Sequence, residues 1–152
     1  MNVSNLDLVV IEWFRKWYVP LGRFAVFVIY FYFGFLKLIG ESPATPLASA
    51  LVERTVGLAH FDALFMVLAV FECVIGILFL IPKATRVVIP MILIHMLIVC
   101  APLIMLPSLV FAKPFVPSLE GQYIIKNVAI VALAVGVAAQ TPPLSKKSKH
   151  YK

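Results

Sequence analysis

Four uninterrupted apolar runs divide this chain, and each is about as long as a bilayer is thick. They cover residues 21–39, 61–81, 87–106 and 123–140. A helix needs roughly 17–25 residues to cross about 30 Å of hydrocarbon. The runs are continuously apolar and do not alternate, and a helix satisfies every backbone donor and acceptor within its own span. The expected fold is therefore all-α, an integral membrane four-helix bundle. Composition agrees: 62% of the residues are hydrophobic and 13% charged, with a mean hydropathy of +1.03. A soluble domain is about 45–50% apolar and about 25% charged. The length suits one membrane domain over residues 1–144, followed by a basic tail at 145–152.

The connections differ in kind. Residues 82–86 form a tight turn, so the second and third spans pair as an antiparallel hairpin. Residues 40–60 make a longer link with Pro43, Pro46 and space for a short helix near 47–56. Residues 107–122 carry Pro107, Pro114 and Pro117, which rules out one regular helix there; Phe111, Phe115 and Val116 suit a loop at the membrane interface. Ahead of the first span, residues 1–19 lack the basic start and small-residue cleavage site of a secretory signal. Leu6, Val9, Val10, Trp13 and Trp17 recur there at helical spacing. This predicts an amphipathic helix on the membrane surface, with both tryptophans at headgroup level.

Charge sets the expected orientation. Arg15, Lys16, Arg23, Lys83, Arg86, Lys146, Lys147, Lys149 and Lys152 fall at one end of the spans; Lys37, Arg54, Lys113 and Lys126 fall at the other. Nine against four places both termini in the cytoplasm. The same bias explains the formal charge of +6 with the lipid bilayer as partner and no nucleic acid.

Ionisable groups within a span cost about 2.5–3.5 kcal/mol each on insertion scales. Glu72 is the sharpest case, in mid-span and far from either interface. His95 is in the middle of the third span. Both lie roughly 17 Å from the tight turn at 1.5 Å per residue, so the hairpin brings a carboxyl and an imidazole to one depth. That pair reads either as a proton relay or ligand anchor, or as an interhelical hydrogen bond. Ala69, Cys73 and Gly76 adjoin Glu72, and Ala129, Ala132, Gly136 and Ala139 form a small face on the fourth span; small residues let helices approach closely. Lys37 and Lys126 lie near the outer ends of spans one and four, where Tyr30, Tyr32, Tyr123 and Asn127 add hydrogen-bonding groups. An outward polar cavity shared by the two lysines is one expectation, and snorkelling to the interface is the other. Pro102 in span three frees the carbonyl of Ile98. Cys73 and Cys100 form no C-x-x-C pair and no metal-ligand spacing. No metal site, nucleophile–base pair or phosphate-binding loop is present, which excludes a stand-alone hydrolase or kinase, and no residue pattern calls for a cofactor.

Three stretches together resemble the DoxX-like family of small bacterial membrane proteins. Tyr32-Phe-Gly-Phe-Leu-Lys37 is similar to an aromatic-Gly-x-x-Lys pattern. Phe71-Glu-Cys-Val-Ile-Gly-Ile-Leu-Phe-Leu80 is similar to Glu-x-x-x-Gly-x-x-x-Leu before a proline and basic turn. Gly121-Gln-Tyr-Ile-Ile-Lys-Asn127 is similar to Gly-x-Tyr/Phe-x-x-Lys-Asn/Asp. The long outer loops resemble the branch linked to reactive-chlorine resistance. The resemblance covers about residues 21–140 and singles out Gly34, Lys37, Glu72, Gly76, Tyr123, Lys126 and Asn127, with Gly34 and Gly76 as packing glycines; His95 stands on depth alone. It implies a four-helix bundle in the bacterial inner membrane, associated with redox chemistry or oxidative stress. The implied ligand is a quinone or another lipid-soluble small molecule, and the implied partner is another membrane protein or a second copy. Three readings stay open: a non-autonomous redox subunit, a small transporter or proton conductor built on Glu72, and an assembly factor.

The charge split predicts that a cytoplasm-dependent reporter fused after Lys152 is active and a periplasm-dependent one is silent. Activity of the periplasmic reporter at that position rejects the orientation.

Overall fold

The computed structural model describes residues 3–143; the basic tail at 145–152 lies outside the described residues. Seven α-helices and one short hairpin follow in order among the described residues, with short 3-10 turns at Leu58–His60 and Pro82–Ala84. They are α1 (Val3–Leu38), α2 (Thr45–Thr55), α3 (Phe61–Leu80), α4 (Thr85–Cys100), α5 (Pro102–Met105), α6 (Pro107–Val110), β1 (Phe111–Lys113), β2 (Val116–Pro117) and α7 (Leu119–Ala139). Four stretches are long and apolar enough to cross a membrane: Asn5–Leu38, Leu58–Leu80, Pro82–Met105 and Leu119–Ala139. They pack as a ring in which α1 meets α3, α3 meets α4, α4 meets α7, and α7 returns to α1. The all-α expectation and its four long helices agree with this architecture.

The boundaries differ where local chemistry intervenes. α1 runs through Pro20 without a break, so residues 3–19 continue the first long helix and are not the separate element expected. Proline removes one donor from the ladder, and the remaining bonds carry the helix on. At 1.5 Å per residue its 36 residues extend about 54 Å, well beyond the roughly 30 Å of hydrocarbon. Leu6, Val9, Trp13 and Phe14 on this extension are exposed. α7 begins four residues earlier than expected because Ser118 caps it, its hydroxyl accepting from the Gly121 N–H at 3.2 Å. The third run divides at Ala101. Its N–H donates to the Ile98 carbonyl at 3.2 Å, which takes up the acceptor that Pro102 leaves free.

The link between α6 and α7 forms a two-stranded antiparallel hairpin, with Phe111 opposite Pro117 and a bulge before Lys113. Phe115 turns it with φ of 64° and is almost fully exposed. The longer link before α3 holds α2 close to the expected position.

Close approach of α1 and α3 rests on two glycines. A Cβ on Gly34 would sit 2.8 Å from Cys73 Sγ and 2.9 Å from the Ala69 carbonyl oxygen; one on Gly76 would sit 2.9 Å from the Phe31 backbone nitrogen. Small residues thus set the distance between these helices. On α7 the expected small face is only partly used: Gly136 lies against the Tyr18 hydroxyl of α1, but the alanines of that face turn outward. Ala129, Ala132 and Ala139 are exposed, whereas Ile124, Ala134 and Val137 are buried. The rotation is set at one end by Gly121 against the Val110 carbonyl and at the other by Leu133 and Val137 against Gly22.

Replacing Gly34 by Val should lower stability by about 1–3 kcal/mol, the usual cost of overpacking a tight contact. Ala129→Val on the exposed face should change it little. Thermal unfolding in detergent reads both; equal midpoints for the two variants would mean that Gly34 does not set the approach.

Candidate functional site

α1 presents one buried stripe to the bundle. Arg23, Val26, Tyr30 and Gly34 are buried along it, and Lys37 ends it with its side chain 7% exposed. Residues seven apart return to nearly the same side of a helix, so Arg23, Tyr30 and Lys37 share that face. Each meets a partner from α3 or α4.

The centre is Glu72 on α3, with 5% of its surface exposed. Its Oε2 accepts from the Lys37 ammonium at 2.6 Å, and its Oε1 is 2.9 Å from His95 Nε2. On the other side of the ring, His95 Nδ1 is 3.2 Å from the Tyr30 hydroxyl. The Tyr30 and His95 rings meet edge-on with centroids 5.0 Å apart. An ionised carboxylate only accepts, so His95 Nε2 then carries hydrogen toward Glu72; in the neutral ring Nδ1 accepts from the Tyr30 O–H. Lys37, Glu72, His95 and Tyr30 therefore form one continuous chain across three helices.

The physical logic is charge compensation. A lone ion in a low-dielectric interior costs several kcal/mol even after relaxation, and only close pairing with further hydrogen bonds offsets it. Lys37 supplies the opposite charge. Its inward turn also has a geometric reason: Cα–Cβ bonds tilt toward a helix N-terminus. Near the C-terminal end of α1, that tilt aims Lys37 back toward mid-bundle, and its ammonium also approaches the Phe33 carbonyl at 3.5 Å. Cys73 lies beside this pair, its thiol 3.8 Å from the Phe31 carbonyl. It occupies the small space opposite Gly34.

The structure brings Glu72 and His95 together as their depth predicts, and adds Lys37. It does not bring Lys126 into the same cavity. Lys126 and Tyr123 are exposed on α7, with the ammonium 5.4 Å from the Tyr123 ring centroid, and Asn127 is half-buried. The shared outward cavity is thus corrected: Lys37 faces the bundle, and the rotation of α7 carries Lys126 away from it. Gly34 and Gly76 occupy the α1–α3 contact described above.

Two further residues belong to this inner face. Tyr30, which its position in the sequence places with Tyr32 and Tyr123, ends the chain at His95. Arg23, which its position places among the positive charges of one end, is part of the same face. It is buried, donating at 2.7 Å to the Phe79 carbonyl and at 2.7 Å to Thr85 Oγ1, which ties α1 to the ends of α3 and α4. Its Nε has no hydrogen-bond partner among the described residues. The signal for both was the seven-residue recurrence of Arg23, Tyr30 and Lys37.

These features define a class, a helical bundle built around a buried, charge-compensated hydrogen-bond chain. Comparison with known protein families, curated proteins and solved structures finds no match.

Glu72→Leu strands both Lys37 and His95 and should cost about 3–5 kcal/mol, the range for breaking a buried pair from one side. Glu72→Gln retains an acceptor and a donor and should cost distinctly less. Unfolding midpoints of the two variants test this; an unchanged Leu variant would show that the chain contributes nothing to stability.

Proposed function

We propose that this chain is a DoxX-like integral membrane protein of the bacterial inner membrane, and that it serves as a non-autonomous subunit of a redox or oxidative-stress process. Both termini are cytoplasmic in this reading. Its working element is the Lys37–Glu72–His95–Tyr30 chain, which holds and moves protons for a lipid-soluble partner molecule of the quinone type. The observation that carries the proposal is the unbroken run of four titratable side chains at mid-bundle. Its links of 2.6, 2.9 and 3.2 Å match the reach needed for proton transfer, about 2.6–3.2 Å. Quinone reduction and oxidation move protons together with electrons, so a buried proton-exchanging chain suits such chemistry. Electron transfer itself belongs to a partner protein in this proposal, since no residue pattern in the chain supplies a redox centre.

A structural reading has its own support. Every member of the chain is hydrogen-bonded, and together they tie α1, α3 and α4. Buried ionisable groups in membrane helices are nevertheless costly, and they mark proton and substrate paths. Stability and activity separate the two readings.

Purification in mild detergent followed by mass spectrometry should recover a quinone and a larger redox-active membrane protein with the wild type. Glu72→Gln should keep the partner and the fold but lose proton-coupled turnover of the assembled complex by at least tenfold. Full turnover in the Gln variant would leave Glu72 with a structural role only.

A further inference from the structure

The two ends of the Lys37–Glu72–His95–Tyr30 chain are unlike. Lys37 is one residue short of the end of α1, and the link that follows is exposed at Ile39, Gly40 and Glu41. At the other end, Tyr30 is flanked by Ile75 and Ile92, both without exposed surface. One turn further along each helix come Val26 from α1, Phe79 from α3 and Val88 from α4, again with no exposed surface. The same apolar cluster is completed from α7 by Ala134, with Ile130 and Val131 packed against it.

The next polar group beyond that layer is Arg23, whose guanidinium is already committed to the Phe79 carbonyl and Thr85. Seven residues separate Arg23 from Tyr30 on α1, about 10 Å of rise. A proton hop needs partners at about hydrogen-bond distance, and close-packed apolar space does not hold water without polar partners. The titratable groups facing the chain are Lys37 and Tyr30 from α1, Glu72 and Cys73 from α3, and His95 from α4. The residues that α7 packs against this core are apolar. None of these groups bridges the gap toward Arg23.

We infer that the chain is a blind-ended proton wire: it exchanges protons through the end of the bundle where α1 finishes at Leu38 and is sealed from the opposite end by the layer of Val26, Phe79 and Val88. This rests on the proton-handling reading above and adds a direction to it. Protons reach or leave His95 and Tyr30 from one side of the membrane. The protein does not pass them across. A redox partner drawing on this chain would thereby exchange its protons on the Leu38 side alone, and the bundle would leave a transmembrane pH difference intact.

The test uses full-length protein carrying ¹⁵N-histidine, reconstituted in one orientation into phospholipid vesicles with the pH set separately on each side. The His95 imidazole resonances, assigned by their loss in His95→Gln, should follow the buffer at the Leu38 end and stay fixed when the opposite buffer is changed. Vesicles containing the wild type and an internal pH dye should also hold an imposed gradient as long as protein-free vesicles do. A response of His95 to the opposite buffer, or a faster loss of the gradient, overturns the seal and leaves the proton-handling reading standing. A His95 that responds to neither buffer overturns both.

Discussion

The fold depends on the neutralisation of one carboxylate. Glu72 lies in the middle of a helix that is otherwise almost wholly apolar, with its side chain buried. An ion in such a place costs several kcal/mol unless another group meets it at close range. Lys37 at 2.6 Å and His95 at 2.9 Å meet that demand from two different helices. The rotations of α1 and α4 about their own axes follow from it, because any other rotation leaves one of three polar groups unpaired among hydrocarbon side chains.

α1 translates this requirement into architecture. Its buried stripe carries a cation at each end and a hydroxyl between them. Gly34 lets α3 approach closely enough for the Lys37–Glu72 contact, and Gly76 does the same one turn beyond Cys73. Arg23 then fastens the far end, reaching the last turn of α3 and the first residue of α4. Arginine suits this role because its planar fork donates to two acceptors at once. The α3–α4 hairpin is held against α1 at two heights, by polar contacts separated by a fully apolar layer.

That alternation bears on function. A polar chain, a dry layer and a second polar anchor give the bundle a direction that its four similar helices would not otherwise have. It also divides the proposed roles. The chain near Leu38 has groups able to exchange protons, while the Arg23 contacts are hydrogen bonds of a permanently charged group to a carbonyl and a hydroxyl, suited to holding helices together.

Much of this was legible in the residues. Four apolar runs specify four long helices because backbone groups removed from water must bond within their own segment. The tight turn after α3 fixes the depth of Glu72 against His95 through the constant rise of a helix. Depth, however, says nothing of rotation, and rotation decided the rest. Lys37 and Lys126 occupy similar motifs near helix ends, yet only Lys37 turns inward, since Glu72 draws it and the Cα–Cβ tilt of α1 permits it. Contacts of Gly121 with Val110 and of Gly22 with Leu133 and Val137 turn α7 so that Lys126 and the small alanine face lie outside. Tyr30 reaches His95 inside the bundle because the face of α1 is chosen by the sum of these contacts. The residue pattern specifies the all-α class, the number of long helices and the depth of each ionisable group, all consequences of local hydrogen bonding and length. Which of those groups meet was decided only by tertiary packing, because pairing of buried charge and close approach at glycine select among helix rotations that the one-dimensional pattern leaves equivalent.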